Sequence, residues 1–171
     1  MGFFDIIKNF DFIEIVNEKD EVIGFQKEDY IHQRGLRHRA IGLIITDKTS
    51  QETGQKILIS FNFGLYDLPL KNHPKYGQSY ESSLLEIIKN STLRFINDEI
   101  RLTEIARYKN DSEKDLENFC LFHFIYGGII EDTKNTNFIW IDKSELIKDF
   151  IKYKNYSHSL KNAFRHFYKR E

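Results

Sequence analysis

Ala40-Ile41-Gly42-Leu43-Ile44-Ile45 is the stretch that decides the fold, because its residues are apolar at both alternating positions of an extended chain. The stretch Phe119-Cys120-Leu121-Phe122-His123-Phe124-Ile125-Tyr126 has the same character. Successive side chains of a β-strand point to opposite faces of the sheet, so strands that are apolar on both faces need cover on both sides. We therefore predict an α/β sandwich in which these two strands are central.

The residues around these two stretches predict the rest of the sheet. Residues 12–16 and 21–25 are strand-like and flank the polar turn 17–20, which indicates an opening β-hairpin. Residues 28–37 are predicted to form a polar loop, and a second polar loop runs from residue 66 into a helix. Further strands are predicted at 56–61, 99–108 and 137–141.

Helical spacing of apolar residues predicts three helices that can form the two covering layers. The first spans 79–91, where Ser79 is placed to cap the helix and Glu81 lies in the first turn, favoured by the helix dipole. The second helix begins near Ser144 and the third near Ser157. We expect these helices to cover both faces of the sheet.

The composition describes one domain with almost no net charge. A chain of 171 residues, 40% of them hydrophobic, can bury one core, so we predict a single domain spanning 1–171. The net charge of −1 gives no field that would attract nucleic acid or an anionic membrane, and neither is a predicted partner. The lone Cys120 cannot form an internal disulfide, and no apolar run approaches the ~18 residues of a membrane span. A cytoplasmic location is expected.

A local cationic segment stands out in this otherwise neutral chain. Residues 31–40 contain two imidazoles and three guanidiniums: His32, Arg34, Arg37, His38 and Arg39. Guanidinium groups match phosphate or carboxylate oxygens, and neutral imidazoles bind divalent metals, so the segment could bind a phosphorylated ligand or a metal ion. The alternative is a solvated surface loop without a ligand.

The loop before the first predicted helix is a second candidate for anion binding. Backbone N–H groups and the positive end of the dipole favour an anion where a helix begins, here at Gly77 and Ser79. Gly77 would permit close approach to the backbone, and Lys71 could add a cation. Both candidate segments therefore favour a phosphorylated small molecule.

The order of four short motifs resembles the Nudix superfamily, with the isopentenyl-diphosphate isomerase-like branch as the nearest match. The motifs are Glu18-Lys19-Asp20-Glu21-Val22-Ile23-Gly24, His32, Leu36-Arg37-His38-Arg39-Ala40 and His73-Pro74-Lys75-Tyr76-Gly77-Gln78-Ser79-Tyr80-Glu81. The resemblance spans roughly residues 11–130 and each motif is only moderately specific. It implies an α/β/α sandwich with a mixed β-sheet and metal-dependent chemistry on diphosphates.

The Nudix helix pattern is degenerate in this chain. Nudix hydrolases resemble a pattern in which several glutamates of that helix bind Mg²⁺ against a diphosphate. The corresponding positions here are Asn72 for the first glycine, Gln78 for the first glutamate, Glu86-Ile87, Asn90-Ser91, and Leu93 for the closing glycine. Glu86 with a neutral Asn90 is a poor substitute for several anionic oxygens. Standard Nudix hydrolysis is therefore not expected.

The isomerase-like pattern is also incomplete. Its catalytic cysteine corresponds to Lys71, and its catalytic glutamate corresponds to Asn118, with Glu117 expected on the opposite face unless the register shifts by one. The histidines that match the branch's metal ligands are retained: His32, His38 and His73. Three imidazoles can bind a divalent ion such as Zn²⁺ or Mn²⁺ with an open position for water.

Three functional hypotheses follow. The leading one is a diverged Nudix-like protein that binds a phosphorylated small molecule, of nucleotide or isoprenoid diphosphate type, through Arg34, Arg37, Arg39, Lys71, Gly77 and Ser79. The alternative is a diphosphate hydrolase or isomerase that uses Mg²⁺, Mn²⁺ or Zn²⁺ at His32, His38 and His73, with Glu86 or Glu117 as base. A protein-binding scaffold is the third, and it requires an exposed aromatic patch.

Overall fold

The computed structural model describes residues 12–48, 55–91, 100–113, 115–126, 137–150 and 155–168, without the side chains of 147, 149 and 150. The strands within these ranges are β1 (Phe12–Val16), β2 (Val22–Lys27), β3 (His38–Asp47), β4 (Lys56–Asn62), β5 (Leu65–Asp67), β6 (Leu70–Asn72), β7 (Thr103–Lys109), β8 (Glu117–Tyr126) and β9 (Phe138–Asp142). The helices are α1 (Glu28–Arg34), α2 (Tyr80–Asn90), α3 (Lys143–Phe150) and α4 (His158–Tyr168).

The two doubly apolar stretches form β3 and β8, which pair in parallel through the middle of the sheet. Their register runs from His38 opposite Glu117 to Asp47 opposite Tyr126. The other strand pairings among the described residues are antiparallel, including the β1–β2 hairpin and the β4–β9 pair. The predicted mixed sheet with central β3 and β8 is therefore confirmed.

Alternate residues of β3 point to opposite faces of the sheet and bury against different helices. Ala40 belongs to the apolar cluster that includes Phe164 of α4. Its neighbour Ile41 belongs to the cluster that includes Leu84 of α2. This alternation explains why both faces of β3 had to be apolar, and it confirms helical cover on both sides of the sheet.

Side-chain caps fix where two of the predicted helices begin. The Ser79 hydroxyl oxygen accepts a hydrogen bond from the Ser82 backbone N–H at the start of α2. The Ser157 hydroxyl oxygen accepts one from the Leu160 N–H, at 3.0 Å, at the start of α4. Each cap satisfies a backbone donor that has no partner within its helix.

The loop predicted at 28–37 is wrong, because residues Glu28–Arg34 form α1. Its one buried residue is Ile31, too little for the apolar stripe by which the other helices were predicted. Gly35 ends the helix in the left-handed conformation, with φ of 59°. The second predicted loop also contains structure, since β5 and β6 lie within or beside it.

Candidate metal centre

Three histidines from different parts of the fold lie together at the start of β3. His32 lies on α1, His38 is the first residue of β3, and His73 directly follows β6. Their ring centroids are 4.8 Å apart for His32 and His38, 5.1 Å for His32 and His73, and 4.6 Å for His38 and His73. The structure thus brings together the histidines that the resemblance singled out.

Two carboxylates complete the cluster, and the register of the central strands places them there. Glu117 lies directly opposite His38 in the parallel β3–β8 pair. Asp115 precedes it by two residues, with Oδ2 at 3.2 Å from His32 Nδ1 and Oδ1 at 3.6 Å from His38 Nε2. One ligand atom each of His38, Asp115 and Glu117 lies within 4.8 Å of the others.

Backbone carbonyls fix the tautomers of two of these histidines. His38 Nδ1 donates to the Leu36 carbonyl oxygen at 2.9 Å, and His73 Nδ1 donates to the Arg39 carbonyl oxygen at 3.2 Å. A carbonyl oxygen can only accept, so the proton of each neutral ring lies on Nδ1. The Nε2 lone pairs are then available to a metal ion, in the arrangement common for metal-binding histidines.

Two buried atoms of the cluster have no hydrogen-bond partner among the described residues. They are His38 Nε2 and Asp115 Oδ1, which face each other at 3.6 Å. Both carry lone pairs, and two unpaired acceptors this close in a buried place are unfavourable unless a cation or a proton lies between them. The donor set therefore fits a divalent metal ion.

Burial keeps two imidazoles of the cluster in the neutral form that metal binding needs, whereas it favours the protonated form of Glu117. It lowers the pKa of His73 to about 3, with the neighbouring His38 as the second cause. Burial also lowers the pKa of His38, although the Leu36 carbonyl opposes this. Both imidazoles are thus neutral near pH 7, and protons do not compete for their lone pairs. Burial raises the pKa of Glu117 to about 7, against a hydrogen bond from Asn110 that lowers it.

A cavity of about 320 Å³ opens onto the cluster. Its lining includes Glu28, His32, Lys71, His73 and Glu117. Lys71 Nζ forms an ion pair with Asp67 Oδ2 at 2.8 Å. A ligand in this cavity would therefore meet the metal-binding groups and one lysine together.

Glu117, not Asn118, is the β8 residue that faces the histidines. Asn118 lies on the other face, where its Nδ2 donates to Asp20 Oδ1 at 3.3 Å and its Oδ1 accepts from Arg37. Sequence reasoning missed two residues of the site, Asp115 and Glu28. The Oε1 atom of Glu28 lies 3.6 Å from Nε2 of His32 and also 3.6 Å from Nε2 of His73. A carboxylate two positions before Glu117 was the available signal, since residues i and i+2 share one side of an extended chain.

The three predicted ligand-binding arginines lie in different surroundings. Arg37 donates from both terminal nitrogens to the Asp111 carboxylate at 2.7 Å. Arg39 donates to Glu14 Oε2 at 2.6 Å and to Asp20 Oδ1 at 3.0 Å. Arg34 is exposed, with its guanidinium 5.5 Å from the Tyr30 ring centroid. Two of the three thus already pair with carboxylates of the chain.

The start of α2 also uses its donors within the chain. The Gly77 N–H donates to Glu14 Oε1 at 3.0 Å. A carboxylate of the protein therefore occupies the place where a ligand anion was predicted. The Ser79 hydroxyl oxygen accepts from the Ser82 N–H and serves as the cap.

Helix α2 carries few groups suited to magnesium. Glu86 is exposed, and its Oε2 accepts a hydrogen bond from Gln78 Nε2 at 2.6 Å. Within the described parts of the chain, α2 adds no side chain to a cluster of possible metal ligands. Leu93, the last position of the Nudix pattern, lies outside the described residues.

Solved structures with the same arrangement of elements identify the fold. DR0079 from Deinococcus radiodurans, a hypothetical Nudix protein, superposes with a TM-score of 0.69 at 16% identity, over 92% of this chain and 99% of its own. The chain has a Nudix fold. The NUDIX domain of Shewanella oneidensis NrtR, complexed with ADP ribose, superposes with a TM-score of 0.56 at 10% identity, over 99% of each chain. The Nudix hydrolase RenU from M. smegmatis superposes with a TM-score of 0.55 at 9% identity, over 92% of this chain and 94% of its own.

The likeness to Nudix proteins lies in the fold, not in the sequence. No family model matches the chain, and no curated protein has significant sequence similarity to it. The isopentenyl-diphosphate isomerase-like branch therefore stays a prediction. Among the described helices, none is both long and apolar enough to cross a bilayer.

Proposed function

We propose that this Nudix-fold chain binds a divalent transition-metal ion through His32, His38, His73, Asp115 and Glu117. The observation that carries the proposal is the pair of buried, unpartnered acceptors His38 Nε2 and Asp115 Oδ1. Three imidazoles with two carboxylates favour Zn²⁺ or Mn²⁺, because Mg²⁺ prefers an all-oxygen environment.

We further propose that this centre binds a phosphorylated small molecule. A divalent ion bound at this centre would attract the phosphate oxygens of a ligand in the cavity. Lys71 lines the same cavity, and its half-exposed ammonium group would contact an anionic ligand alongside its ion pair with Asp67. The fold likeness to a NUDIX domain complexed with ADP ribose supports the same class of ligand.

A second candidate function is an enzyme that acts on such a ligand. Glu117 favours it, because burial raises the pKa of this carboxyl group to about 7, where a group can both accept and release a proton. In this role Glu117 would exchange a proton with a ligand in the cavity. Standard Nudix hydrolysis is not proposed, because α2 lacks most of the required glutamates. Nucleic acid binding is not proposed either, because the net charge of −1 gives no general attraction to nucleic acid. The structure of Shewanella oneidensis NrtR was solved with DNA, but this concerns that protein.

Metal titration tests the proposal directly. After treatment with a chelator, the protein should bind about one equivalent of Zn²⁺ or Mn²⁺ in isothermal titration calorimetry, and the loaded protein should gain thermal stability with pyrophosphate or ADP ribose. His38→Gln and His73→Gln should each lower metal affinity by more than about 100-fold, because each removes a direct ligand.

His166→Gln is the matched control, since it removes an imidazole that stacks on Tyr108, outside the cluster. Its metal affinity should equal that of the unaltered protein. If the unaltered protein bound neither ion, the proposed metal centre would be wrong. If it bound metal but never responded to a phosphorylated compound, the ligand class would be wrong instead.

A further inference from the structure

A chain of hydrogen bonds leads from the exposed surface of α4 to the carboxyl group of Glu117. Arg165 Nη1 donates to Asn162 Oδ1 at 3.0 Å, and Asn162 Nδ2 donates to Asn110 Oδ1 at 2.8 Å. Asn110 Nδ2 in turn donates to Glu117 Oε2. Every donor in this chain therefore points toward the Glu117 carboxyl group.

The amide of Asn110 is fixed in one orientation. Asn110 is 3% exposed and Glu117 is 8% exposed, so neither reaches bulk water easily. The amide nitrogen of Asn110 also donates to Ser159 Oγ at 3.2 Å, while its oxygen accepts from Asn162. A flipped amide would place its oxygen against the carboxylate and lose these bonds.

This arrangement affects how Glu117 can act toward a metal ion. Hydrogen bonds that run in one direction polarise one another, and this chain begins at a cationic guanidinium. The bond from Asn110 restrains Oε2 and favours the charged carboxylate. One carboxylate oxygen of Glu117 lies within 4.8 Å of the possible ligand atoms of His38 and Asp115. Partners behind a metal ligand set its orientation and so the affinity of the site.

We infer that Asn110 is a positioning residue that orients Glu117 in the metal centre, supported by Asn162 and Arg165 of α4. This inference rests on the proposed metal-binding function. It makes α4, which supplies none of the five proposed ligands, a determinant of metal affinity.

Co²⁺ titration of the chelator-treated, full-length protein tests the inference. Asn110→Leu keeps the size of the side chain but removes its donor, and it should lower Co²⁺ affinity by about 10- to 100-fold. Asn162→Leu should lower Co²⁺ affinity less than Asn110→Leu does, and Arg165→Met should lower it least of the three. The visible absorption spectrum of the Co²⁺-loaded protein should change in Asn110→Leu, because it reports the coordination of the ion and not the stability of the fold.

Lys161→Met is the matched control, because it removes the same charge from the same helix without breaking the chain of hydrogen bonds. It should leave affinity and spectrum unchanged. If Asn110→Leu kept both, the inference would be wrong while the metal centre stood; if the unaltered protein bound no Co²⁺, the proposed function would fail instead. Should Asn110→Leu not fold, unchanged affinity in both Asn162→Leu and Arg165→Met would overturn the inference.

Discussion

Arg39 connects β3 to β1 and to the turn after β1 through two carboxylates. Its guanidinium donates to Glu14 of β1 and to Asp20 in the turn that follows. Glu14 is 6% exposed and also accepts from the Gly77 N–H, so its charge is balanced within the protein. The guanidinium lies 5.4 Å from the Tyr80 ring centroid as well. These contacts give Arg39 a role in stability that does not depend on any ligand.

Arg39→Ala should therefore destabilise the fold by about 3 kcal/mol, because it leaves the buried Glu14 carboxylate without its cationic partner. Arg34→Ala should change the free energy of unfolding by less than about 0.5 kcal/mol, because Arg34 is an exposed residue. Urea unfolding of both variants measures the difference. Equal stabilities would show that Arg39 has no structural role.

At the scale of elements, helix α1 decides whether the metal centre is complete. It carries His32 toward Asp115, and Glu28 one turn earlier, near His73. The helix has only one buried residue, Ile31, so its end must be fixed locally. Gly35 does this in the left-handed conformation, where its N–H bonds to the carbonyl oxygens of the last turn.

Gly35→Ala should destabilise the protein by about 1 kcal/mol, because a side chain disfavours the left-handed conformation even though nothing lies within 4 Å of the added Cβ. Gly35→Asn should recover part of that loss, since asparagine tolerates this conformation better. The control is Gly24→Ala, where the added Cβ makes an ordinary 3.8 Å contact with Ile15. If denaturant unfolding showed Gly24→Ala to be less stable than Gly35→Ala, this account would be wrong.

For the whole molecule, the buried cluster makes the stability of the metal-free protein depend on pH in opposing ways. Burial lowers the pKa of His73 from 6.5 to about 3. The contribution of His73 to the free energy of unfolding is therefore present above pH 6.5 and is lost as the pH falls toward 3. His38 shifts in the same direction. Burial raises the pKa of Glu117 from 4.5 to about 7, so its contribution is present below pH 4.5 and is lost as the pH rises through 7.

Between pH 4.5 and 6.5, His73 and Glu117 therefore nearly cancel, and His38 makes stability rise with pH. Glu117→Gln removes the opposing group, so the free energy of unfolding should rise more steeply in this range, by about 1.4 kcal/mol per pH unit. Urea unfolding with a chelator present, at several pH values, measures the slope. A slope unchanged by Glu117→Gln would mean that this carboxyl group titrates normally.

The fold was predictable to the extent that it depends on local patterns. The two apolar stretches predicted β3 and β8, and Ser79 and Ser157 predicted where α2 and α4 begin. Helix α1 was missed because its stability comes from a single buried side chain and a glycine cap. No periodicity of apolar residues marks such a short helix.

The candidate site was predictable only in part. Sequence motifs selected His32, His38 and His73, but they could not show which of two adjacent β8 residues faces them. The local cationic segment also predicted Arg37 and Arg39 as ligand-binding groups, without the carboxylates that pair with both. Such partners are distant in the sequence, so no local pattern contains them.

The sequence by itself determined the central strands and the capped helices, because each depends on residues a few positions apart, and the order of its motifs selected the three imidazoles. Tertiary structure alone decided that Asp115 and Glu117 join those imidazoles. The parallel register of β3 and β8 sets Glu117 opposite His38, and pairing between segments so far apart depends on the packing of the whole sheet.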